Sequence, residues 1–185
     1  MWNGLVDKRP AAILMCAKQE DVVEAVNAAR ASGLTLAVRG GGHSVAGASV
    51  CDGGLVIDLS RMKAVSVDPE QRTVRAEAGL RLGEFDAATQ AHGLAVTMGV
   101  NSDTGIAGLT LGGGFGRLGR KFGLACDNLL SAEMVLADGR CVTASPTANP
   151  DLFWAIRGGG GNFGIVTATA STVSANPGRA NRPRL

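Results

Sequence analysis

A run of glycines that ends in a histidine, Arg39-Gly40-Gly41-Gly42-His43-Ser44, is the segment of this sequence best suited to chemistry. It follows Leu36-Ala37-Val38, an apolar run that predicts a buried strand. Consecutive glycines lack a Cβ and accept positive φ, so several backbone N–H groups can converge on an anion such as a pyrophosphate. The imidazole of His43 would then lie beside the bound anion. A neutral imidazole is a nucleophile, and histidine ordinarily titrates near pH 6.5.

Two further glycine clusters are Gly112-Gly113-Gly114-Phe115-Gly116 and Arg157-Gly158-Gly159-Gly160-Gly161-Asn162-Phe163-Gly164. Both overlap a Gly-x-Gly-x-x-Gly pattern, but a dinucleotide fingerprint should follow a strand and open a helix. The last cluster is instead preceded by a predicted helix and followed by a predicted strand. A triphosphatase loop is also excluded, because Gly119 is followed by Arg120-Lys121 and the required Ser or Thr after Gly-Lys is absent. Any one cluster alone is more typical of turns and close packing.

Two other segments, Gly99-Val100-Asn101-Ser102-Asp103-Thr104-Gly105 and Gly123-Leu124-Ala125-Cys126-Asp127-Asn128, complete a long ordered pattern. From about Arg9 to Thr169, this pattern resembles the PCMH-type FAD-binding domain of the berberine-bridge-enzyme-like, or vanillyl-alcohol-oxidase-type, oxidoreductases. The resemblance implies an α+β fold of two α+β subdomains with FAD between them. In many relatives the histidine that matches His43 is bonded covalently to FAD. His43 is thus the candidate to attack the 8α carbon of an oxidised flavin tautomer.

The resemblance also implies a single covalent attachment. Some relatives link the flavin twice, through a cysteine two residues after the Gly-Val that precedes the glycine-rich helix, and Asn101 stands at that place here. Carried over position by position, the resemblance implies FAD contacts at Arg39, Gly40, Gly41, Gly42, His43, Ser44, Val45, Asn101, Thr104, Gly105, Gly108, Leu111, Gly112, Gly113, Asn128, Gly164, Ile165 and Val166.

Other polar residues have plainer interpretations. His92 ends a predicted helix, where it can meet the last carbonyls, and Cys126 is interpreted as a small buried residue. Asp103 and Asp127 are expected to orient loops, and Arg39 either pairs with a phosphate or closes a strand end. No metal ligands are predicted. No catalytic base is identified, because relatives usually take it from a following substrate domain and this sequence contains no tyrosine.

Composition narrows the function classes. The 185 residues fit one domain, and 18 basic against 16 acidic residues give a net charge of +2, without a footprint for nucleic acid. No apolar stretch approaches the roughly 20 residues of a membrane span. Neither a signal sequence nor a Cys-x-x-Cys pair is visible, so the expectation is a cytoplasmic protein with reduced thiols.

Periodicity predicts the elements. A helix is expected from Glu20 to Ser32 and another from Leu80 to Ala91, with hairpins turning at Pro69-Glu70 and at Asp138-Gly139. A buried strand is expected from Leu55 to Leu59, and a further strand from Gly164 to Thr169. A third helix begins at Asn149-Pro150-Asp151. The predicted domain covers residues 8–173, divided into subdomains 8–62 and 63–173, and residues 174–185 are expected to be a disordered tail.

The resemblance implies that FAD accepts a hydride from a substrate carbon bearing an alcohol, an amine or a sugar hydroxyl, and is then reoxidised, often by oxygen. The substrate would be a small molecule. Two alternatives remain: a non-catalytic flavin-binding fragment that needs a substrate domain or partner, and a glycine-rich scaffold without cofactor. Because the family's substrate domain is missing from the sequence, the chain is expected to be a truncated member that self-associates when expressed alone.

Overall fold

The computed structural model describes residues 2–176, which contain two main β-sheets, five α-helices and one short 3-10 helix at Cys126–Asn128. In chain order the elements are β1 (Ala12–Met15), α1 (Gln19–Ala31), β2 (Leu36–Arg39), β3 (Leu55–Asp58), β4 (Val65–Asp68), β5 (Thr73–Glu77), α2 (Leu82–Ala91), β6 (Leu94–Ala95), α3 (Ile106–Leu111), α4 (Gly119–Phe122), β7 (Leu129–Val135), β8 (Cys141–Ala144), α5 (Pro150–Ala155), β9 (Ile165–Thr172) and β10 (Ser174–Ala175).

The first sheet is parallel and has the strand order β1-β3-β2. All four residues of the central strand β3 are buried, which agrees with its apolar run Leu55-Val56-Ile57. The sequence predicted β2 and β3 but gave no signal for β1, whose four side chains are exposed. In the parallel register Arg39 lies directly opposite Asp58, so both charged residues end their strands at the same edge.

Helix α1 connects β1 to β2 and lies within one residue of its predicted bounds. Its apolar face, with Val22, Ala25 and Val26, is buried against the first sheet, as the helical spacing of these residues predicted. The helix is followed by Gly33, which has a φ of 62°. A glycine adopts this left-handed conformation without the strain that a Cβ introduces, so it terminates the helix.

The second sheet is antiparallel, with the order β4-β5-β9-β7-β8. Both predicted hairpins, β4 to β5 and β7 to β8, are confirmed. The central strand β9 pairs with β5 on one side and β7 on the other, and it extends three residues beyond its predicted end at Thr169. A mainly antiparallel second sheet, as predicted, therefore follows the small parallel one.

The two sheets share a hydrophobic core. One buried cluster combines Ile57 of β3, Ala107 of α3, Val135 of β7 and Ile165 of β9. Helix α3, which the sequence did not predict as a bounded element, also packs against β9. The shared core fixes the orientation of α3 relative to both sheets.

The predicted tail boundary needs a correction. Residues Ser174–Ala175 were expected to be disordered, but they form β10, which pairs antiparallel with Leu94–Ala95 of β6. A strand of two residues is too short to show an alternating pattern in the sequence, so β10 was not predicted. Residues 177–185, the rest of the predicted tail, lie outside the described residues. Within residues 2–176 no helix combines the length and apolar character needed to cross a membrane.

Candidate cofactor site

The glycine loop after β2 lies in direct backbone contact with the loop that precedes α3. A Cβ added to Gly41 would stand 2.2 Å from the backbone nitrogen of Gly105 and 2.6 Å from its Cα. A Cβ on Gly105 would likewise stand 2.3 Å from the nitrogen of Gly41. Only glycine fits at both positions, so the fold brings together two segments that the sequence resemblance had placed in one site.

The loop before α3 is anchored by backbone hydrogen bonds. The N–H of Leu82 donates to the carbonyl of Thr104 (2.9 Å), and the N–H of Ile106 donates to the carbonyl of Leu80 (3.0 Å). Gly40 is enclosed as well, since a Cβ there would meet the carbonyl of Ala78 at 3.2 Å. The start of α2 and the segment that connects β5 to it therefore hold this junction in place.

His43 is half-buried at the end of the glycine loop, and its ring stacks on the indole of Trp2. The ring centroids are 5.6 Å apart and the planes meet at 22°. Within residues 2–176 no hydrogen bond engages the ring nitrogens of His43. An imidazole without such a partner keeps a nitrogen lone pair available for another group.

The two residues after His43 have different roles. The hydroxyl of Ser44 accepts a hydrogen bond from the N–H of Ala48 (3.0 Å), which closes the following turn. The side chain of Val45 is 70% exposed, while its carbonyl accepts a hydrogen bond from Nδ2 of Asn3. Of these two residues, Val45 is the one that presents an uncovered apolar surface.

Arg39 takes up one of the two roles considered for it. Its guanidinium lies 3.4 Å from the carboxylate of Asp58, which is almost fully buried, so Arg39 does close the strand end. Its Nε is also buried and has no hydrogen-bond partner among residues 2–176. This nitrogen lies 3.2 Å from the position that a Cβ on Gly42 would occupy, so positive charge is held directly beneath the glycine loop.

Asn101 and Thr104 shape the second loop from within. The Asn101 side-chain oxygen accepts a hydrogen bond from the N–H of Asp103 (3.1 Å), and the Asn101 carbonyl accepts one from the N–H of Thr104 (3.1 Å). Asp103 also lies 3.5 Å from Arg81. The geometry agrees with the expected loop-orienting role of Asp103.

Helix α3 links this junction to the other two glycine clusters. Gly108 has open space around its Cα, whereas Leu111 is buried in the core. The carbonyl of Leu111 accepts hydrogen bonds from the N–H groups of Gly158 (3.0 Å) and Gly160 (2.9 Å). The third cluster is therefore folded onto the end of the helix.

The second cluster begins where α3 ends. Gly112 follows the last helical residue, and Gly113 has a φ of 101° that disfavours any other residue. The carbonyl of Gly113 accepts a hydrogen bond from the N–H of Cys126 (3.0 Å). This contact connects the glycine-rich helix to the segment around Asp127, whose carboxylate accepts the N–H of Leu124 and lies 3.5 Å from Arg157.

Four of the expected contact residues are used by the fold itself. The amide of Asn128 donates to the carbonyls of Phe122 (2.9 Å) and Leu124 (2.7 Å), so its side chain is occupied locally. The side chains of Ile165 and Val166 are buried in the core, and a Cβ on Gly164 would meet the carbonyl of Val135 at 2.9 Å. At Gly164, Ile165 and Val166 the backbone is therefore the part that remains free to contact a ligand.

The cysteines and the second histidine do not belong to the glycine-loop junction. Burial and the charge of Asp127 raise the pKa of the Cys126 thiol, and burial raises that of Cys16 to about 11. Both thiols therefore stay protonated at neutral pH and are poor nucleophiles. His92 caps the end of α2, as predicted.

Asp58 and Trp2 were missed as site residues. A signal existed for Asp58, because it is the one acidic residue in the buried run from Leu55 to Leu59. No sequence pattern marks Trp2, which reaches His43 only through the tertiary fold. Sequence reasoning based on motifs therefore found the loops and overlooked the two side chains that flank them.

Comparison with known proteins gives one family. The family described as "FAD binding domain" matches residues 10–145. The curated FAD-linked oxidoreductase pgmH of Aspergillus terreus is 48% identical over 167 residues, which cover 90% of this chain and 34% of that protein. The (R)-6-hydroxynicotine oxidase of Paenarthrobacter nicotinovorans is 40% identical, with 90% of this chain and 36% of that protein covered.

Solved structures agree with the sequence comparison. A crystal structure of 6-hydroxy-D-nicotine oxidase from Arthrobacter nicotinovorans superposes with a TM-score of 0.93 at 38% identity, covering 95% of this chain and 39% of that one. Glucooligosaccharide oxidase from Acremonium strictum gives a TM-score of 0.87 at 38% identity, with coverages of 91% and 36%, and that enzyme contains a 6-S-cysteinyl, 8α-N1-histidyl FAD.

The chain spans a little over a third of the length of these relatives. The expected PCMH-type α+β fold is confirmed by these superpositions, and the relatives named as oxidases and FAD-linked oxidoreductases bear out the expected resemblance to oxidoreductases. Because the family match covers most of the chain and includes the glycine loop, its junction with Gly105 and helix α3, the chain belongs to the FAD binding domain family, as the PCMH-type domain of FAD-linked oxidoreductases.

Proposed function

We propose that this domain holds FAD across the junction of the two glycine loops and carries it as a singly attached group on His43. The contact between Gly41 and Gly105 is the observation that carries the proposal, because it forms a surface of backbone without any Cβ. Such a surface allows close approach of a diphosphate to several N–H groups. The unpaired Nε of Arg39 supplies positive charge beneath the loop.

The residues present fit the attachment chemistry. The ring nitrogens of His43 have no hydrogen-bond partner among residues 2–176, so one of them is available to bond the 8α carbon of FAD. Asn101 stands where doubly linked relatives have cysteine, and amide side chains do not form the second bond. Backbone N–H groups of the glycine segments are proposed to stabilise negative charge near N1 and the C2 carbonyl.

We further propose that a protein containing this domain removes a hydride from a substrate carbon that bears an alcohol, an amine or a sugar hydroxyl. FAD supplies the hydride-accepting chemistry when bound. The nicotine and oligosaccharide oxidases among the relatives support this range of small-molecule substrates. The general base is not assigned to any residue of this chain, and reoxidation by oxygen is the proposed second half of the reaction.

The test is to express the chain with FAD available, precipitate it with acid and measure flavin absorbance in the washed pellet. The matched control is His92→Gln, since His92 is the other of the two histidines in the sequence. Flavin should remain in the pellet for wild type and His92→Gln and be lost for His43→Gln. Release of all wild-type flavin on denaturation would leave FAD binding standing and contradict the bond. Absence of flavin from the native protein would contradict both.

A further inference from the structure

Residues 2–6 lie across the outside of the His43 loop and form hydrogen bonds with it. The N–H of Trp2 donates to the carbonyl of Gly42 (3.1 Å), and Nδ2 of Asn3 donates to the carbonyl of Val45 (2.8 Å). These two carbonyls flank His43 on either side. Residues 2–6, called here the N-terminal segment, therefore fix the backbone of the loop both before and after the histidine.

The N-terminal segment is also ordered within itself. The side-chain oxygen of Asn3 accepts the N–H of Leu5 (3.1 Å), and its carbonyl accepts the N–H of Val6 (3.2 Å). Val6 packs against Gly47, where a Cβ would lie 2.9 Å from either valine methyl. Leu5 is 94% exposed. The segment thus offers both contacting residues and a neighbouring residue whose side chain is almost fully exposed.

The indole of Trp2 covers one face of the imidazole. Its centroid lies 5.6 Å from that of His43, with the planes inclined by 22°, which is an offset stack of the kind aromatic pairs prefer. The lone pair of an imidazole nitrogen lies in the plane of the ring. A neighbour that fixes this plane therefore also fixes the direction in which the nitrogen can form a bond.

We propose that Trp2 is a positioning residue, which holds the imidazole plane of His43 in the orientation needed for bond formation to FAD. The inference rests on the proposed attachment at His43. In that step His43 gains a bond from a ring nitrogen to the 8α carbon, one C–H bond at that carbon breaks, and the proton from that bond and the N–H proton of the neutral imidazole both pass to solvent. The two electrons left on the flavin are taken up by dioxygen, which also takes up two protons and is reduced to hydrogen peroxide.

The stack itself is tested without any cofactor. The sequence has two tryptophans, so Trp154→Phe leaves Trp2 as the only indole, and Trp154 is an exposed residue. An imidazole stacked on an indole covers part of the indole ring, so Trp2 emission should shift to longer wavelength when His43→Gln is added to Trp154→Phe. A Trp2 emission spectrum that is the same with and without the His43 side chain would overturn the stacking contact.

The positioning role is tested by the rate of attachment. Apo-protein is mixed with FAD in air, quenched with acid at intervals, and the flavin in each pellet is measured. Trp2→Ala should lower the rate by about two- to tenfold, the factor that corresponds to the loss of one aromatic pair. Trp2→Phe should restore most of it, and Leu5→Ala should match wild type. FAD retained by the native protein on a desalting column should be similar for all four.

The outcomes separate this inference from the function it rests on. Equal attachment rates for wild type and Trp2→Ala would overturn the positioning role while the bond at His43 stands. A wild type that retains FAD in its native state yet never attaches it would overturn both the bond and the role of Trp2. A Trp2→Ala protein that loses native FAD binding as well as attachment would show a structural role for the indole and would also overturn the inference.

Discussion

Replacing Gly41 by alanine should force apart the two loops that form the cofactor site. The new Cβ would stand 2.2 Å from the nitrogen of Gly105, 2.6 Å from its Cα and 3.2 Å from the carbonyl carbon of Thr104. All three are backbone atoms, so no side chain can rotate away. Ordinary contact needs about 3.4 Å or more, and the loops would have to separate by roughly 1 Å.

The cost follows from overpacking, which is typically about 1–3 kcal/mol where backbone must shift. For a domain of this size that loss lowers Tm by about 2–12 °C. Gly41 does not have a positive φ, so the effect is purely steric. A comparison with Gly33→Ala separates the two causes, because Gly33 has a φ of 62° and open space around it. That variant should lose roughly 1 kcal/mol through backbone strain alone.

The assay is urea unfolding of the wild type and five variants, combined with FAD retention on a desalting column. Gly161→Ala is the matched control, since it lies in a glycine cluster with nothing near its Cα and without a positive φ. It should stay within about 0.5 kcal/mol of wild type. Gly105→Ala should resemble Gly41→Ala. The double variant should cost less than the sum, because loops already separated by one methyl group accommodate the second more easily.

Two results would refute this reasoning, and a third would show that FAD retention does not report on the loops. Gly41→Ala with the stability and FAD retention of Gly161→Ala would show that the loops do not meet as described. Strict additivity of Gly41→Ala and Gly105→Ala would show that the two methyl groups act at separate places. Loss of FAD retention in Gly33→Ala, which is remote from the junction, would show that retention reports stability and carries no information about the loops.

Three further predictions follow from other parts of the structure. Asp58→Asn should destabilise the protein by about 1–3 kcal/mol, because Arg39 loses a buried partner while remaining partly exposed, and a Cm unchanged from wild type in urea would contradict this. Folding raises the pKa of Cys16 from 9.0 to about 11, so the unfolded chain releases its proton first and stability should fall as pH rises across that interval. In Cys16→Ala the urea midpoint should decline less steeply with rising pH than in wild type. An equal decline in both proteins would show that the Cys16 thiol does not cause this pH dependence. Light scattering of the isolated chain should show self-association that Phe115→Ser reduces, since Phe115 is 83% exposed; a stable monomer at all concentrations would contradict it.

Much of the fold follows from local sequence patterns. Helix α1, both antiparallel hairpins and the buried strand β3 appear at or near their predicted bounds, because helical spacing, alternation and turn residues specify them locally. The elements that were missed or misjudged are short or exposed. Strand β1 shows no buried face, and β10 was expected to be disordered because two residues cannot carry a periodic signal.

The features of the candidate site also fall into those that the sequence predicts and those that only the tertiary structure reveals. The sequence by itself determined the family, the glycine segments and the candidate nucleophile His43, because runs of glycine in a fixed order are local features that few other folds require. Only the tertiary structure decided that Gly41 meets Gly105, that Asp58 pairs with Arg39 and that Trp2 stacks on His43. Each of these contacts joins residues that are separated in the sequence. Such residues meet only because α3 and the two sheets pack around one shared core.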